Sequence, residues 1–383
     1  MIKVLVIGWY GTETIGDRAI LAGILNSLDI NFKSKIQLTI GSLYPYLTKR
    51  TVCEDRKLYE ILSPTVVGFE IIDSRDHSAL CSTILNSDIV LMGGGPLMDL
   101  QELWMINYAF WFAKRRGTPT AIAGCGVGPI RNLKLQKCLA KILSNSDLVI
   151  LRDEKSAHAA SKIYKTKYSD PKQFIASVDP AVTCALAYKS LALDSTKSDT
   201  LVASVRHFPI EYLMPGKALD DINDNVLKAI SRVVEENAIS SIHFVPMCYH
   251  HLGVDDRYYM KVLKDNLPNL DCLIQKKPLS LVETMQSFMG SRLALGMRFH
   301  AVVLQTLLAE RNIIFDYTGG LGGKIGNFVA DVAPNGELLQ SIVDLQQIRQ
   351  VGCTATKPSN FKPNEEMLRK KISVYKKLSE ILR

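Results

Sequence analysis

Arg298 and His300 are the residues whose types and spacing point most directly to chemistry. They sit in the stretch Leu293-Ala-Leu-Gly-Met-Arg-Phe-His-Ala-Val-Val-Leu-Gln305, an apolar run ending at Gly296 and then apolar side chains at helical spacing from Phe299 to Leu308. That pattern predicts a buried strand turning directly into a helix, with both residues at the turn. In open parallel sheets, ligands bind beyond the carboxyl ends of the strands, where a helix N-terminus offers free N–H groups and the positive end of its dipole. A guanidinium fork and an imidazole placed there suit a phosphate or a carboxylate. A structural salt bridge for Arg298 and an ordinary helix-start position for His300 explain the same residues equally well. Arg206, after Leu201-Val-Ala-Ser-Val205, falls at a second strand end, and Lys324 follows the glycine loop 319–323.

The elements that must position these groups repeat one rhythm. Ile2-Lys-Val-Leu-Val-Ile-Gly8 reads as a first strand, followed by a glycine loop and an amphipathic helix with apolar residues at 20, 21, 24, 25 and 28. Asp88–Met92 runs into the triple glycine 93–95, Thr120–Ala123 into Gly124-Cys-Gly-Val-Gly-Pro129, and Asp147–Leu151 into Arg152-Asp-Glu-Lys-Ser156. Glycines in such loops permit close backbone approach to a ligand or a neighbouring loop, so Gly94, Gly95 and Gly126 are candidate substrate contacts. Asp153 and Asp179, the latter before Pro180, are expected helix caps. Strands alternating with helices predict parallel sheets in an α/β fold.

A polar stretch without sustained period between Tyr188 and Thr200 marks a domain boundary. The expected organisation is an N-terminal Rossmann-like domain (1–190) carrying the glycine loops, a C-terminal Rossmann-like domain (200–345) carrying the basic residues, and a C-terminal amphipathic helix (363–383). Two doubly wound domains facing a cleft would be GT-B-like. The final helix, with a lysine-rich outer face, is expected to pack on a domain; contact with anionic lipid is the alternative.

Several function classes are excluded or disfavoured. Gly11-x-x-x-x-Gly16 is followed by Asp17 and Arg18 rather than Lys and Ser or Thr, so it is no P-loop, and G-x-G-x-x-G is missing from the first loop. The 383 residues, 47% hydrophobic, carry 46 Lys+Arg against 38 Asp+Glu. That excess is too diffuse for nucleic acid and suits anionic small ligands. The first strand is too short for a signal segment, and no apolar run reaches membrane-spanning length. Eight scattered cysteines without a C-x-x-C pair argue against a zinc ribbon or disulfide framework and for a cytoplasmic protein. His250, His251, Asp255 and Asp256 could suggest a metal, but adjacent histidines in a loop diverge, and no metal is expected. Trp104, Tyr108 and Trp111, at helical spacing, are expected in a core or interface rather than as a sugar platform.

The ordered motifs resemble those of the polysaccharide pyruvyl transferase family. They are Gly8-Trp-Tyr-Gly, Ile15-Gly-Asp-Arg-Ala-Ile-Leu21, Met92-Gly-Gly-Gly-Pro-Leu, Gly124-Cys-Gly-Val-Gly-Pro, Leu151-Arg-Asp-Glu-Lys-Ser, Val178-Asp-Pro-Ala, Ser204-Val-Arg and Gly296-Met-Arg-Phe-His. The resemblance implies a GT-B-like fold and transfer of a pyruvyl group from phosphoenolpyruvate to a pair of sugar hydroxyls, as a ketal, on a cell-surface glycan or its nucleotide- or lipid-linked precursor. It implies donor binding by Arg206, Arg298 and His300, with Lys324 as an addition, and no cofactor. Where the family's first loop usually reads Asn-x-Gly-Asp-Glu, this chain has Thr14-Ile-Gly-Asp-Arg18, a departure that bears on the acceptor.

Such a reaction needs two cationic forks for a carboxylate and a phosphate, which Arg206 and Arg298 could supply. It also needs a proton for the methylene carbon, for which His300 is the first candidate, and a base for the acceptor hydroxyl, for which Asp17 is. Asp17 could instead be a helix cap. The rival readings are a GT-B glycosyltransferase, with Arg298 and Lys324 on a nucleotide diphosphate, and a non-catalytic glycan-assembly protein; an oligomer is compatible with all three.

Overall fold

The protein is described by a computed structural model covering residues 1–12, 14–191, 198–249, 254–319, 322–347 and 357–382. It divides into two compact units: Met1–Glu13, Asp17–Ser190 and Glu365–Arg383 form the first, Thr14–Gly16 and Leu191–Asn364 the second.

The first unit is built on seven strands: β1 (Ile2–Ile7), β2 (Ile36–Ser42), β3 (Val66–Asp73), β4 (Ile89–Met92), β5 (Thr120–Cys125), β6 (Leu148–Leu151) and β7 (Ile175–Ala176). They pair in parallel in the order β3-β2-β1-β4-β5-β6-β7. The central strands are apolar on both faces, as a sheet covered by helices on both sides requires. Their connecting helices are α1 (Ile15–Asn31), α2 (Pro45–Leu62), α3 (His77–Leu85), α4 (Leu103–Arg116), α5 (Leu133–Asn145), α6 (Glu154–Lys165) and α7 (Pro180–Ser190). One core layer joins α3, α4, α5 and α6 to alternate residues of β1, β4, β5 and β6. In another, α2 packs on α7, and Gly23 of α1 meets the Pro180 backbone so closely that a Cβ would lie 1.8 Å from its carbonyl oxygen. The expected caps form: Asp153 accepts the Ser156 amide at 2.6 Å, and Asp179 the Ala181 amide at 3.0 Å ahead of Pro180.

The second unit has β8 (Thr200–Ser204), β9 (Ser241–Phe244), β10 (Asp271–Ile274), β11 (Leu293–Gly296), β12 (Arg311–Asp316), β13 (Ile342–Asp344) and the short β14 (Ser359–Asn360). The order is β10-β9-β8-β11-β12-β13, all parallel, with β14 antiparallel to β12. Its helices are α8 (Leu219–Glu236), α9 (Asp256–Asp265), α10 (Leu281–Gly290), α11 (Phe299–Leu308) and α12 (Lys324–Val332). The direction of strand addition reverses between β8 and β11, which makes that position the switch point where ligands bind in such sheets.

The C-terminal stretch differs from a single helix over 363–383. It folds as α13 (Glu365–Ile372), a 3₁₀ turn and the short α14 (Lys377–Glu380), and belongs to the first unit. Leu368, Tyr375 and Leu378 are buried, the Tyr375 hydroxyl donates to the Val178 carbonyl at 2.8 Å, and Ser177 Oγ donates to the Lys371 carbonyl at 2.8 Å. Its apolar stripe is therefore used inside the protein.

Candidate anion-binding site

In the second unit, β8 leads to Arg206 and β11 to Arg298, so the two arginines flank the switch point. The strand-to-helix turn expected around Gly296 is present. Gly296 has no room for a side chain, since a Cβ would lie 2.5 Å from Gln305 Oε1, and Arg298 occupies the N-cap position of α11 with extended backbone (φ −67°, ψ 142°). Arg298 and Gly323, the N-cap residues of α11 and α12, make no side-chain cap of their own, and in the first turn of α12 the Ile325 amide donates to the Thr318 hydroxyl at 3.4 Å.

Arg298 is held from beneath. Its Nε and Nη2 make a forked pair with the fully buried Asp256, at 2.7–2.9 Å, and Nη2 also donates to the Val254 carbonyl at 3.0 Å. Asp256 accepts the backbone amides of Met247 and Cys248 at 3.1 Å as well, which ties the loop after β9 to the arginine. Val254 stands at φ +63°, a costly conformation for a β-branched residue, and it is this strained residue whose carbonyl meets Arg298. Burial works against the Arg298 charge, but the Asp256 carboxylate outweighs it and holds the guanidinium above its usual range. The salt-bridge reading of Arg298 is thus present in the structure, and it fixes the orientation of the guanidinium.

Arg206 is set differently. Its Nε donates to the His207 carbonyl at 3.3 Å, and among the described residues no carboxylate lies within ion-pairing distance of it. Burial first, and then the Arg298 charge, push its guanidinium below the usual arginine range, so the two cations are near enough to repel. Tyr317, just past β12, is electrostatically coupled to both arginines. Lys324 Nζ lies 5.3 Å from the Tyr317 ring and 5.6 Å from that of Tyr212, and the two tyrosines meet edge to face at 5.1 Å. Tyr317 thus interacts with three cations, of which Arg206 and Arg298 feel the Asp256 carboxylate and Lys324 that of Asp316. Asp316, at the end of β12, accepts the Thr318 amide and hydroxyl through Oδ1, while its buried Oδ2 has no hydrogen-bond partner; burial raises its carboxyl above the usual range.

His300 lies in the first turn of α11, its ring edge to face with Phe299 at 5.1 Å and against Gly16. A Cβ at Gly16 would stand 2.0 Å from His300 Nδ1, so any larger residue there must displace the imidazole. Thr14 bridges Cys248 in antiparallel fashion, and the Ile15 amide donates to the Met247 carbonyl at 3.0 Å, so segment 14–16 rests on the same loop that Asp256 anchors.

The glycine loops of the first unit are filled by the protein itself. Gly94 would place a Cβ 3.0 Å from the Tyr10 ring, Gly95 (φ +73°) 1.7 Å from Trp9, and Gly126 2.3 Å from the Arg152 guanidinium. Trp9 Nε1 donates to the Pro96 carbonyl at 2.9 Å, and the Tyr10 hydroxyl donates to the Gly93 carbonyl. These contacts account for the glycines without a ligand. Asp17 sits in the first turn of α1, two residues past its start, and accepts the Thr12 hydroxyl at 2.9 Å. Arg18, the charge reversal in the first loop, is buried and paired with Asp55 at 2.5 Å and Glu54 at 3.1 Å on α2.

Of the possible metal ligands, His250 and His251 lie outside the described residues. Asp255 caps α9 and pairs with Arg257, and Asp256 is taken by Arg298. A cavity of about 320 Å³ lined by Thr200, Ser241, His243 and Asp271 lies at the amino ends of β8, β9 and β10, away from the arginines.

The sequence model of the polysaccharide pyruvyl transferase family matches residues 15–309. The chain belongs to this family. The matched span includes Arg206, Asp256, Arg298 and His300, while Lys324 and Tyr317 lie beyond it. No curated protein sequence matches the chain. Among solved structures, UDP-GlcNAc 2-epimerase from Neisseria meningitidis bound to UDP-GlcNAc aligns with a TM-score of 0.54 at 12% identity, covering 100% of this chain and 93% of that one. The Methanocaldococcus jannaschii UDP-GlcNAc 2-epimerase in complex with UDP-GlcNAc and UDP gives 0.54 at 13% identity, over 99% of this chain and 100% of that one. At such identities the likeness concerns the fold alone. This pyruvyl transferase family member thus has the α/β, GT-B type of organisation, with two Rossmann-like sheets. Asp256 and Tyr317 are the site residues that sequence reasoning missed; Asp256 had drawn notice only as a metal candidate.

Proposed function

We propose that this protein transfers the pyruvyl group of phosphoenolpyruvate to two hydroxyls of a sugar in a glycan or glycan precursor, forming a ketal. The observation that carries the reading is the pair of arginines at the β8–β11 switch point, one oriented by a buried carboxylate and one without an ion-pair partner among the described residues. A carboxylate and a phosphate on one small molecule would compensate the repulsion between them. In this reading Arg298 takes the more deeply seated anionic group, Arg206 the other, and Lys324 completes the phosphate side.

A proton added to the methylene carbon makes C3 a methyl group and leaves C2 oxocarbenium-like; one sugar hydroxyl adds there and gives up its proton. The C2–O bond to phosphate then breaks, and the second hydroxyl closes the ketal, its proton leaving with the phosphate. His300 is assigned the proton delivery or the phosphate contact, and Asp17 the acceptor hydroxyl proton. Arg18, directed into α2, takes no part in the chemistry.

The test is calorimetric titration of the purified protein with phosphoenolpyruvate and, separately, with UDP-sugars, repeated for Arg298→Ala. Phosphoenolpyruvate binding that is lost in the variant supports the assignment. Binding of the nucleotide sugars alone would replace it with a glycosyltransferase.

A further inference from the structure

We propose that the α3–α4–α5 face of the first unit docks the protein on the surface of an anionic phospholipid bilayer. Helix α3 packs on α4 and α4 on α5. Their inner sides fill the core, with Leu80, Ile106, Phe110, Leu139 and Leu143 buried. The outer side is unusual for a water-facing surface: Trp104 is 43% exposed, Trp111 40%, Leu85 54% and Leu133 69%. Tyr108 and Phe112 lie half-buried beside them, their rings 6.1 Å apart, and Tyr108 is 5.6 Å from Trp111. The aromatic triplet expected in a core or interface is thus half-exposed.

The charges on this layer are of one sign. The three helices carry Lys114, Arg115, Arg116, Lys134, Lys137 and Lys141 and no aspartate or glutamate. Arg115 lies over the Trp111 ring at 4.8 Å and Arg116 over Phe112 at 5.3 Å. Of the acidic residues bordering the layer, Asp76 and Asp99 accept backbone amides, and Asp147 takes Lys114 and the Thr120 amide. Glu102 stands at the N-terminal end of α4, the end away from Arg115 and Arg116.

Tryptophan and tyrosine partition to the headgroup level of bilayers, where one end of the ring is apolar and the other wet, and basic residues beside them add attraction to anionic lipid. A second copy of the chain is the poorer occupant, because it would bring two basic layers face to face. A free polyanion would satisfy the arginines but give the exposed leucines nothing to bury them. No described helix is long and apolar enough to cross a membrane, so the contact is interfacial. The lysine-rich C-terminal segment does not supply it, since its apolar side chains are used within the first unit.

The three tryptophans make the test specific, because Trp9 is buried and only Trp104 and Trp111 can reach lipid. The full chain is mixed with phosphatidylcholine vesicles with and without phosphatidylglycerol, both carrying acyl chains brominated near the headgroup. Tryptophan emission should be quenched on the phosphatidylglycerol vesicles, less so in high salt, and unquenched in Trp104→Phe/Trp111→Phe, where Trp9 alone remains. Arg115→Gln/Arg116→Gln should weaken vesicle partitioning about 25-fold, from about fivefold per charge. Four results would overturn the proposal: equal partitioning to neutral vesicles, quenching retained in the double Phe variant, binding to a single-stranded polyanion without vesicle binding, or tryptophans shielded by self-association in sedimentation.

Discussion

Replacing Gly16 with alanine isolates the role of His300 from the rest of the site. Gly16 is helical, in the first turn of α1, and its φ is not in the left-handed region, so alanine there would ordinarily favour the helix by about 1 kcal/mol. Here the new methyl would stand 2.0 Å from His300 Nδ1, 2.5 Å from Cγ and 2.9 Å from Cε1. Ordinary contact needs about 3.5 Å, so the imidazole must retreat by about 1.5 Å. A hydrogen bond between His300 and an anionic group of phosphoenolpyruvate, worth about 1.5–3 kcal/mol, would not survive that shift. The dissociation constant should therefore rise about 10- to 100-fold, while the urea midpoint moves little. Calorimetry on Gly16→Ala, His300→Ala and the double variant separates this account from a general disturbance. The double variant should bind no more weakly than His300→Ala alone, because both changes remove one interaction. Wild-type affinity in Gly16→Ala, or losses that simply add in the double variant, would refute the reasoning.

Arg206→Ala should weaken phosphoenolpyruvate binding about 10- to 100-fold, the loss of a charge-assisted contact, with unchanged or slightly higher stability, since burial and Arg298 both oppose its charge; urea unfolding beside calorimetry reads both. Asp256→Ala should instead destabilise by about 3–5 kcal/mol by stranding a buried guanidinium, and Asp256→Asn by less; a native-like urea midpoint in the alanine variant would contradict the role given to the carboxylate. Asp316→Asn should stabilise the protein at neutral pH. The native carboxyl is raised above its ordinary 3.8, so the wild type loses stability relative to the variant as pH climbs through the raised value, and the two converge below pH 3.8; urea midpoints across that range provide the check.

Much of the fold could be read from local pattern. The strand and turn at 293–300, the helix around Trp104–Phe112 and the caps at Asp153 and Asp179 are all encoded in short runs whose apolar spacing or cap chemistry is self-contained. The region from β2 to α3 carries weaker local signals. The middle of α2, Lys49–Glu60, is crowded with charge, and the outer strand β3 mixes half-buried and exposed positions, so its placement depends on pairing with β2 more than on its own residues. The C-terminal segment shows the limit of periodicity: its apolar stripe predicts a face to bury, but the break into a 3₁₀ turn places Tyr375 against Gly124 and Pro180, residues far away in the chain.

The site divides along the same line. Strand ends are local, so Arg206 and Arg298 could be found, whereas the partners that decide what those arginines can do are distant. Asp256 is 42 residues from Arg298, and neither its neighbouring acids nor its spacing announces an arginine fork. The glycine loops illustrate the converse. Glycine signals that something approaches closely, and the sequence cannot say whether that is substrate or Trp9, Tyr10 and Arg152. Since the first unit's glycines are satisfied internally, the pull toward an anion comes from the second unit, where Arg206 lacks a carboxylate partner among the described residues and Arg298 is already oriented by one. An arginine oriented before the ligand arrives loses little freedom on binding, and a neighbour repelled by it gains most when the ligand comes. That asymmetry puts most of an anionic ligand's gain at Arg206, beside an arginine that Asp256 already holds in place.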